Sequence, residues 1–216
     1  MSDELIESLE TDIIFGVFAS GSRLIEDRVM ERYEAKRHTV RAAFSELERR
    51  GLLVHKSNRG VEVVDFTPDE VDDLYAVRII LETAAARATP LPVERPVIGD
   101  LTRLAKQHET ALKKGEFRAV FDLNKAFHAL QFSVCGNARL ITLIEEASRI
   151  AQTVRVVKYQ DSDHMNTVVA QHFEIIKAMA GSDTEAYVTA TRNHLPASAE
   201  AYRKLHAMRF NLQRTA

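Results

Sequence analysis

The chain has 216 residues, of which 45% are hydrophobic and 28% charged, with a formal net charge of −2; it can bury a core in one large or two small domains, and its near-neutral total gives no sign of indiscriminate polyanion or membrane binding. Cys135 is the single cysteine, which excludes an intramolecular disulfide and suits a reducing compartment. No apolar run approaches the roughly 20 residues of a membrane span, and Ser2-Asp3-Glu4 lacks the basic start of a secretory signal, so a cytoplasmic protein is expected.

Leu5, Ile6, Leu9 and Ile13 are helically spaced and predict a first helix that stops near Gly16. Gly21 marks a turn, after which Leu24, Ile25, Val29 and Met30 pattern a shorter helix to about Tyr33. A third begins near Arg37. Its apolar face is Val40, Phe44 and Leu47, at i, i+4 and i+7, and Arg37, His38 and Arg41 project from the other side, where a recognition helix meets base edges and phosphates. Gly51 closes it behind Arg49-Arg50. Leu53-Val54-His55 and Val61-Glu62-Val63-Val64 then flank turn residues at 56–60, which predicts a hairpin. Three helices and a hairpin form the plan of a winged helix-turn-helix over residues 1–65.

Charge distribution matters more here than total charge. Residues 1–65 hold ten Lys/Arg against thirteen Asp/Glu, the wrong sign for a phosphate-binding module. From Lys36 to Arg59, however, seven basic residues face only Glu46 and Glu48. Such a basic stripe on an acidic domain suits salt-sensitive, specific docking on DNA; the same stripe also serves as a solvated helix face.

Beyond Asp65 the pattern is helical throughout. Thr67-Pro68-Asp69-Glu70 is an N-cap, a proline at the first helical position and two acids in the first turn, and Val71, Leu74, Val77, Leu81 and Ala85 carry that helix to about Ala88. The prolines at 90, 92 and 96 break it. Helical patterns follow at 97–114, 116–135, 138–159, 163–181 and 184–209, so residues 66–216 are expected to form a bundle of about six helices. The fold class is mainly α.

Asn124 and His128 lie four apart on one helix and share a face, while His172 and His194 adjoin the apolar sides of two later helices. Converging, they would suit a borderline divalent cation such as Zn²⁺, Ni²⁺ or Mn²⁺; spacing alone serves a hydrogen-bonded core equally well. His55, His108, His164 and His206 read as surface residues. Arg78 is either a counter-charge for a carboxylate or the partner of Glu82 one turn on.

The assembled pattern resembles the GntR family of bacterial transcription regulators, in the FadR-like subfamily with an FCD effector domain. The resemblance rests on the turn Ser20-Gly21-Ser22-Arg23-Leu24, the recognition segment Ala35 to Phe44, the step Leu47-Glu48-Arg49-Arg50-Gly51-Leu52 and the wing Asn58-Arg59-Gly60. In the second half it rests on Tyr75-Ala76-Val77-Arg78-Ile79-Ile80-Leu81-Glu82, Asn124-x-x-Phe127-His128, Cys135-Gly136-Asn137, His172 and His194. Ser20, Lys36, His38-Thr39 and Ala42 depart from the family pattern, which bears on the operator sequence.

The resemblance implies a homodimer whose winged helices read a pseudo-palindromic double-stranded operator through Lys36, Arg37, His38, Thr39, Arg41, Arg59 and Gly60. It also implies a divalent metal held by Asn124, His128, His172 and His194, and a small carboxylate effector beside it. A regulator that senses the metal itself, or a metal-dependent enzyme built on the bundle, are the rival readings. No positioned general acid or base accompanies the histidines, which favours a regulator over an enzyme.

Overall fold

The computed structural model describes residues 2–57, 59–155, 162–196, 199–200, 202–204 and 206–207. Asn58 of the wing and the predicted helical residues 156–159 and 208–209 lie outside them, as does the side chain of His164.

The first domain contains α1 (Ser2–Ile14), β1 (Arg23–Leu24), α2 (Glu26–Arg32), α3 (Arg37–Arg49), β2 (Leu53–Lys56) and β3 (Gly60–Val63). Leu9, Val40 and Leu47 are fully buried at the centre of its core, with Leu5, Ile13, Phe44, Leu52, Leu53 and Val63 around them. The three strands form an antiparallel sheet in the order β1-β3-β2, with Leu24 opposite Val61 and Leu53 opposite Val63. Here the structure corrects the expected second helix. Leu24 belongs to a strand and Ile25 is the residue before α2, 40% exposed; the added strand gives β3 a second hydrogen-bonding partner and leaves Leu24 buried in the core.

Val64, Asp65, Phe66 and Thr67 connect this domain to α4 (Pro68–Ala88). Thr67 is the N-cap that the sequence indicates, and with Glu70 it forms a capping box: Glu70 N–H donates to Thr67 Oγ1 at 3.3 Å, and Thr67 N–H donates to Glu70 Oε2 at 2.7 Å. The bundle continues through α5 (Arg95–Lys114), α6 (Phe117–Ser133), α7 (Ala138–Ile150), α8 (Gln152–Arg155), α9 (Ser162–Ala180) and α10 (Thr184–His194). Helix α5 packs on α6 and α9, α10 on α4 and α9, and α4 on α7. The expected long helix from 138 divides at Ala151 into α7 and α8. Phe127, Leu101, Ile175, Met179 and Tyr187 fill the main core, each fully buried.

Contacts among the described residues join the domains. Phe15 meets Phe121 edge to face at 6.1 Å, and the Arg118 guanidinium donates to the Thr11 hydroxyl. Gly51, at φ +75°, follows α3 so close to α7 that a Cβ there would lie 3.2 Å from Ile150 Cγ1. Only glycine meets both demands without strain. No helix among the described residues is long and apolar enough to cross a membrane.

Candidate DNA-reading face and candidate metal centre

Lys36, Arg37, His38 and Arg41 are exposed at the N-terminal end of α3, and Thr39 is half-buried beside them. Their backs are anchored: Val40, Ala43, Phe44 and Leu47 on the opposite side of α3 are buried. The two arginines are engaged by α2. Arg37 reaches Glu26 at 3.1 Å and Asp27 at 2.6 Å, and Arg41 Nε donates to the other Glu26 oxygen at 2.9 Å. The Arg41 hydrogen bond, with the charges of both arginines, holds the Glu26 carboxyl below the usual carboxylate range. Pairs so exposed are screened by solvent and add little stability, so phosphates or guanine edges can replace the carboxylates. Sequence reasoning missed this clasp, which spans 10 to 15 residues of chain. At the wing, Arg59 is exposed, Gly60 has φ +78°, and Lys56 pairs with Glu62 at 3.1 Å.

In the bundle, α6, α9 and α10 bring His128, His172 and His194 together, with candidate ligand atoms all within 4.8 Å of one another. Their ring centroids form a triangle with sides of 4.9 to 5.2 Å. His172 is fully buried; the other two are half-buried. Phe127, one residue before His128, lies against His172 with ring planes 19° apart and centroids at 4.1 Å. That contact gives the Phe of the Asn-x-x-Phe-His segment a physical role.

Two glutamines determine which way the imidazoles present their lone pairs. Gln171 Nε2 donates to the Asn193 carbonyl at 3.1 Å, which turns its Oε1 toward His194 Nδ1 at 3.0 Å. Gln131 Nε2 faces the Tyr187 and Thr191 hydroxyls at 3.4 Å, and its Oε1 lies 2.9 Å from His128 Nδ1. With the glutamine oxygens turned toward them, both Nδ1 atoms donate and both Nε2 atoms accept; the hydroxyls behind Gln131 equally satisfy its amide turned over, which makes His128 Nε2 a donor instead. These two Nε2 atoms face each other at 3.1 Å. In the first arrangement the facing lone pairs repel unless a metal ion or a proton lies between them; in the second His128 Nε2 donates to His194 Nε2. Neutral imidazoles whose distal N–H groups are tied to acceptors form a donor set that fits a borderline divalent ion. Asn124, one turn before His128 and 8% exposed, lines the same cavity as His128 and can add an amide oxygen.

Two residues differ from their sequence reading. His108, expected at the surface, is fully buried against His172, with ring centroids 5.2 Å apart. Neither of its nitrogens has a hydrogen-bond partner among the described residues, and burial pushes its pKa down to about 4, so the ring is neutral. The signal was present: Leu101, Ala105, His108 and Leu112 share one helical face. Arg78 pairs with Glu82 at 2.7 Å and lies over the Tyr75 ring at 4.8 Å, with only 4% of its surface exposed. Burial opposes its charge, and the Glu82 carboxylate more than restores it, raising the Arg78 pKa. Of the two roles open for Arg78, the structure displays the helix pair, and the residue is absent from the cavity beside His128.

The FCD domain profile matches residues 73–197, more than half of the chain, and the profile of the bacterial regulatory proteins of the gntR family matches residues 1–63. The chain belongs to the GntR family and carries an FCD domain. The HTH-type transcriptional regulator YdhC of Bacillus subtilis is 26% identical to it over 195 residues, covering 88% of this chain and 87% of that protein. The HTH-type transcriptional repressor RspR of Escherichia coli is 26% identical over 208 residues, covering 95% and 90%. Among solved structures, E. coli McbR/YncC superposes with a TM-score of 0.79 at 15% identity, covering 95% of this chain and 98% of the other. A putative transcriptional regulator GntR from Rhodococcus sp. RHA1 gives 0.78 at 23% identity, covering 94% and 97%. These two likenesses concern the fold. The GntR and FCD domains and the named relatives are those of DNA-binding transcription regulators rather than enzymes.

Proposed function

We propose that this GntR regulator acts in the cytoplasm as a homodimer. Its two winged helices read a pseudo-palindromic operator through Lys36, Arg37, His38, Thr39, Arg41, Arg59 and Gly60, and a small carboxylate bound beside a divalent metal modulates that binding. The observation that carries the effector half is the 3.1 Å approach of His128 Nε2 to His194 Nε2, with both distal nitrogens committed to glutamine oxygens. Asn124, His128, His172 and His194 would hold the ion, with Zn²⁺ the first candidate and Ni²⁺ or Mn²⁺ next. Its charge and open coordination positions would attract a carboxylate oxygen. The protein residues orient the imidazoles, hold two of them at Nδ1 through glutamines and keep Phe127 against His172.

The dimer is supported by Val77 and Ile80, apolar residues on α4 that are 49% and 66% exposed, and by Leu143 on the adjoining α7, 41% exposed. Two-fold symmetry would match palindromic half-sites. The test is metal analysis of the full chain purified without chelators, followed by carboxylate screening by thermal shift with and without the ion. About one metal per chain, and a carboxylate that stabilises only the loaded form and alters operator affinity, are expected. No metal uptake from Zn²⁺, Ni²⁺ or Mn²⁺ would sink the metal reading, while an operator response to metal alone would favour a metal sensor.

A further inference from the structure

The cavity beside His128 has a volume of about 480 Å³ and takes its walls from both domains. Asn124, His128 and Gln152 stand on the effector side; Glu10 of α1 and Arg49 and Arg50 at the end of α3 stand on the other. This space suits a small molecule.

Arg50 is held in its wall by two acids, its Nη1 donating to Glu10 and its Nε to Glu46, both at 2.7 Å. Its Nη2 makes no hydrogen bond recorded among the described residues, so the fork can take a further acceptor. Gln152, which lines the same cavity, is 6% exposed, and its Oε1 is buried with no hydrogen-bond partner among the described residues. A buried acceptor in that state calls for a donor. An occupant that satisfies both walls has an anionic oxygen for Arg50 and a hydroxyl for Gln152.

We infer that the DNA-binding domain completes the effector site: Arg50, at the C-terminal end of the reader helix, is a ligand of a hydroxyl-bearing carboxylate that also reaches the histidine cluster. This rests on reading that cluster as a metal and carboxylate site. Arg50 is the C-terminal cap of α3 and precedes Gly51, which touches Ile150. An effector oxygen on the Arg50 fork, added at Nη2 beside Glu10 and Glu46, therefore acts on the end of the reader helix itself, and the effector selects between two settings of that helix.

Calorimetric titration of the full-length, Zn²⁺-loaded chain with L-malate and with succinate, which lacks the hydroxyl, tests the inference. Malate is expected to bind more tightly than succinate, and Gln152→Leu to erase that preference. Arg50→Gln should keep its Zn²⁺ and bind malate about tenfold more weakly or worse, while Glu10→Gln, which releases Arg50 from one carboxylate, should bind it more tightly. Malate affinity unchanged in both Arg50→Gln and Glu10→Gln would overturn the inference and leave the metal site standing; if Arg50→Gln does not fold, unchanged affinity in Glu10→Gln overturns it alone. A loaded wild-type chain that binds neither acid at millimolar concentration also overturns it. Failure of the wild-type chain to take up Zn²⁺ removes the reading on which the inference rests.

Discussion

Phe127 lies flat against His172 at 4.1 Å, and the same ring stands edge-on to His128 at 5.3 Å. One fully buried side chain thus sets the orientation of two imidazoles as well as filling the bundle core. Phe127→Ala is expected to cost about 3–5 kcal/mol of stability, as large-to-small changes in packed cores do, and to weaken metal binding. Chemical denaturation with metal titration checks both, and a variant that loses stability yet keeps full metal affinity would restrict Phe127 to packing.

The arginines of the reader helix are expected to dominate operator affinity. Replacing Arg37 and Arg41 together by alanine should weaken specific binding by roughly 10- to 100-fold or more, with folding intact because both side chains are exposed. Arg59→Ala should lower the salt slope by about one and leave sequence preference unchanged. Mobility-shift titrations at several salt concentrations distinguish these effects. Operator binding by the double variant equal to wild type would mean that α3 does not read DNA.

Gln131 and Gln171 hold the Nδ1 atoms of His128 and His194. Gln171→Leu should reduce metal affinity by about 10- to 100-fold, the usual effect of removing a partner behind a ligating imidazole, with little change in the fold of the metal-free chain. Competition with a chromogenic chelator measures the shift. An unaltered constant would separate the glutamines from the site.

His108→Leu is expected to stabilise the chain by about 1–3 kcal/mol at neutral pH, because an apolar side chain replaces two buried nitrogens without partners among the described residues. Thermal and urea unfolding provide the measurement. Destabilisation would show that His108 satisfies a hydrogen bond absent from this conformation.

Ile80→Asp should convert the dimer to a monomer at micromolar concentration and weaken operator binding, because a charge would enter an apolar contact. Sedimentation velocity gives the answer. A variant that remains dimeric would move the interface away from the exposed face of α4.

The helices that bury one stripe were readable from periodicity, and the Thr67 N-cap followed by Pro68 and two acids announced the start of α4 to the residue. The two-residue strand Arg23–Leu24 was not, since a segment that short has no period and its identity comes from pairing with β3. At the site, Asn124, His128 and Phe127 could be placed together from a single helix, whereas convergence with His172 and His194 depends on packing between helices. His108 was concealed by its polar neighbours Lys106, Gln107 and Glu109, although it falls on the apolar stripe. The Glu26 clasp and the shared cavity come from tertiary placement, which local pattern does not encode.

The connection between the domains is short and fastened at both ends. Val64 to Thr67 could span no more than about 14 Å even if fully stretched; the Val64 N–H donates to the Leu52 carbonyl at one end, and at the other the Phe66 carbonyl accepts from Tyr202 and Thr67 is locked into its cap. The winged helix is therefore mounted like a jaw on a caliper rather than a weight on a string. In the proposed dimer the separation of the two jaws is then a property of the paired effector domains, so this regulator should measure the length of its operator as strictly as it reads the letters: moving the half-sites apart by half a helical turn, about five base pairs, should abolish binding even with every contacted base retained.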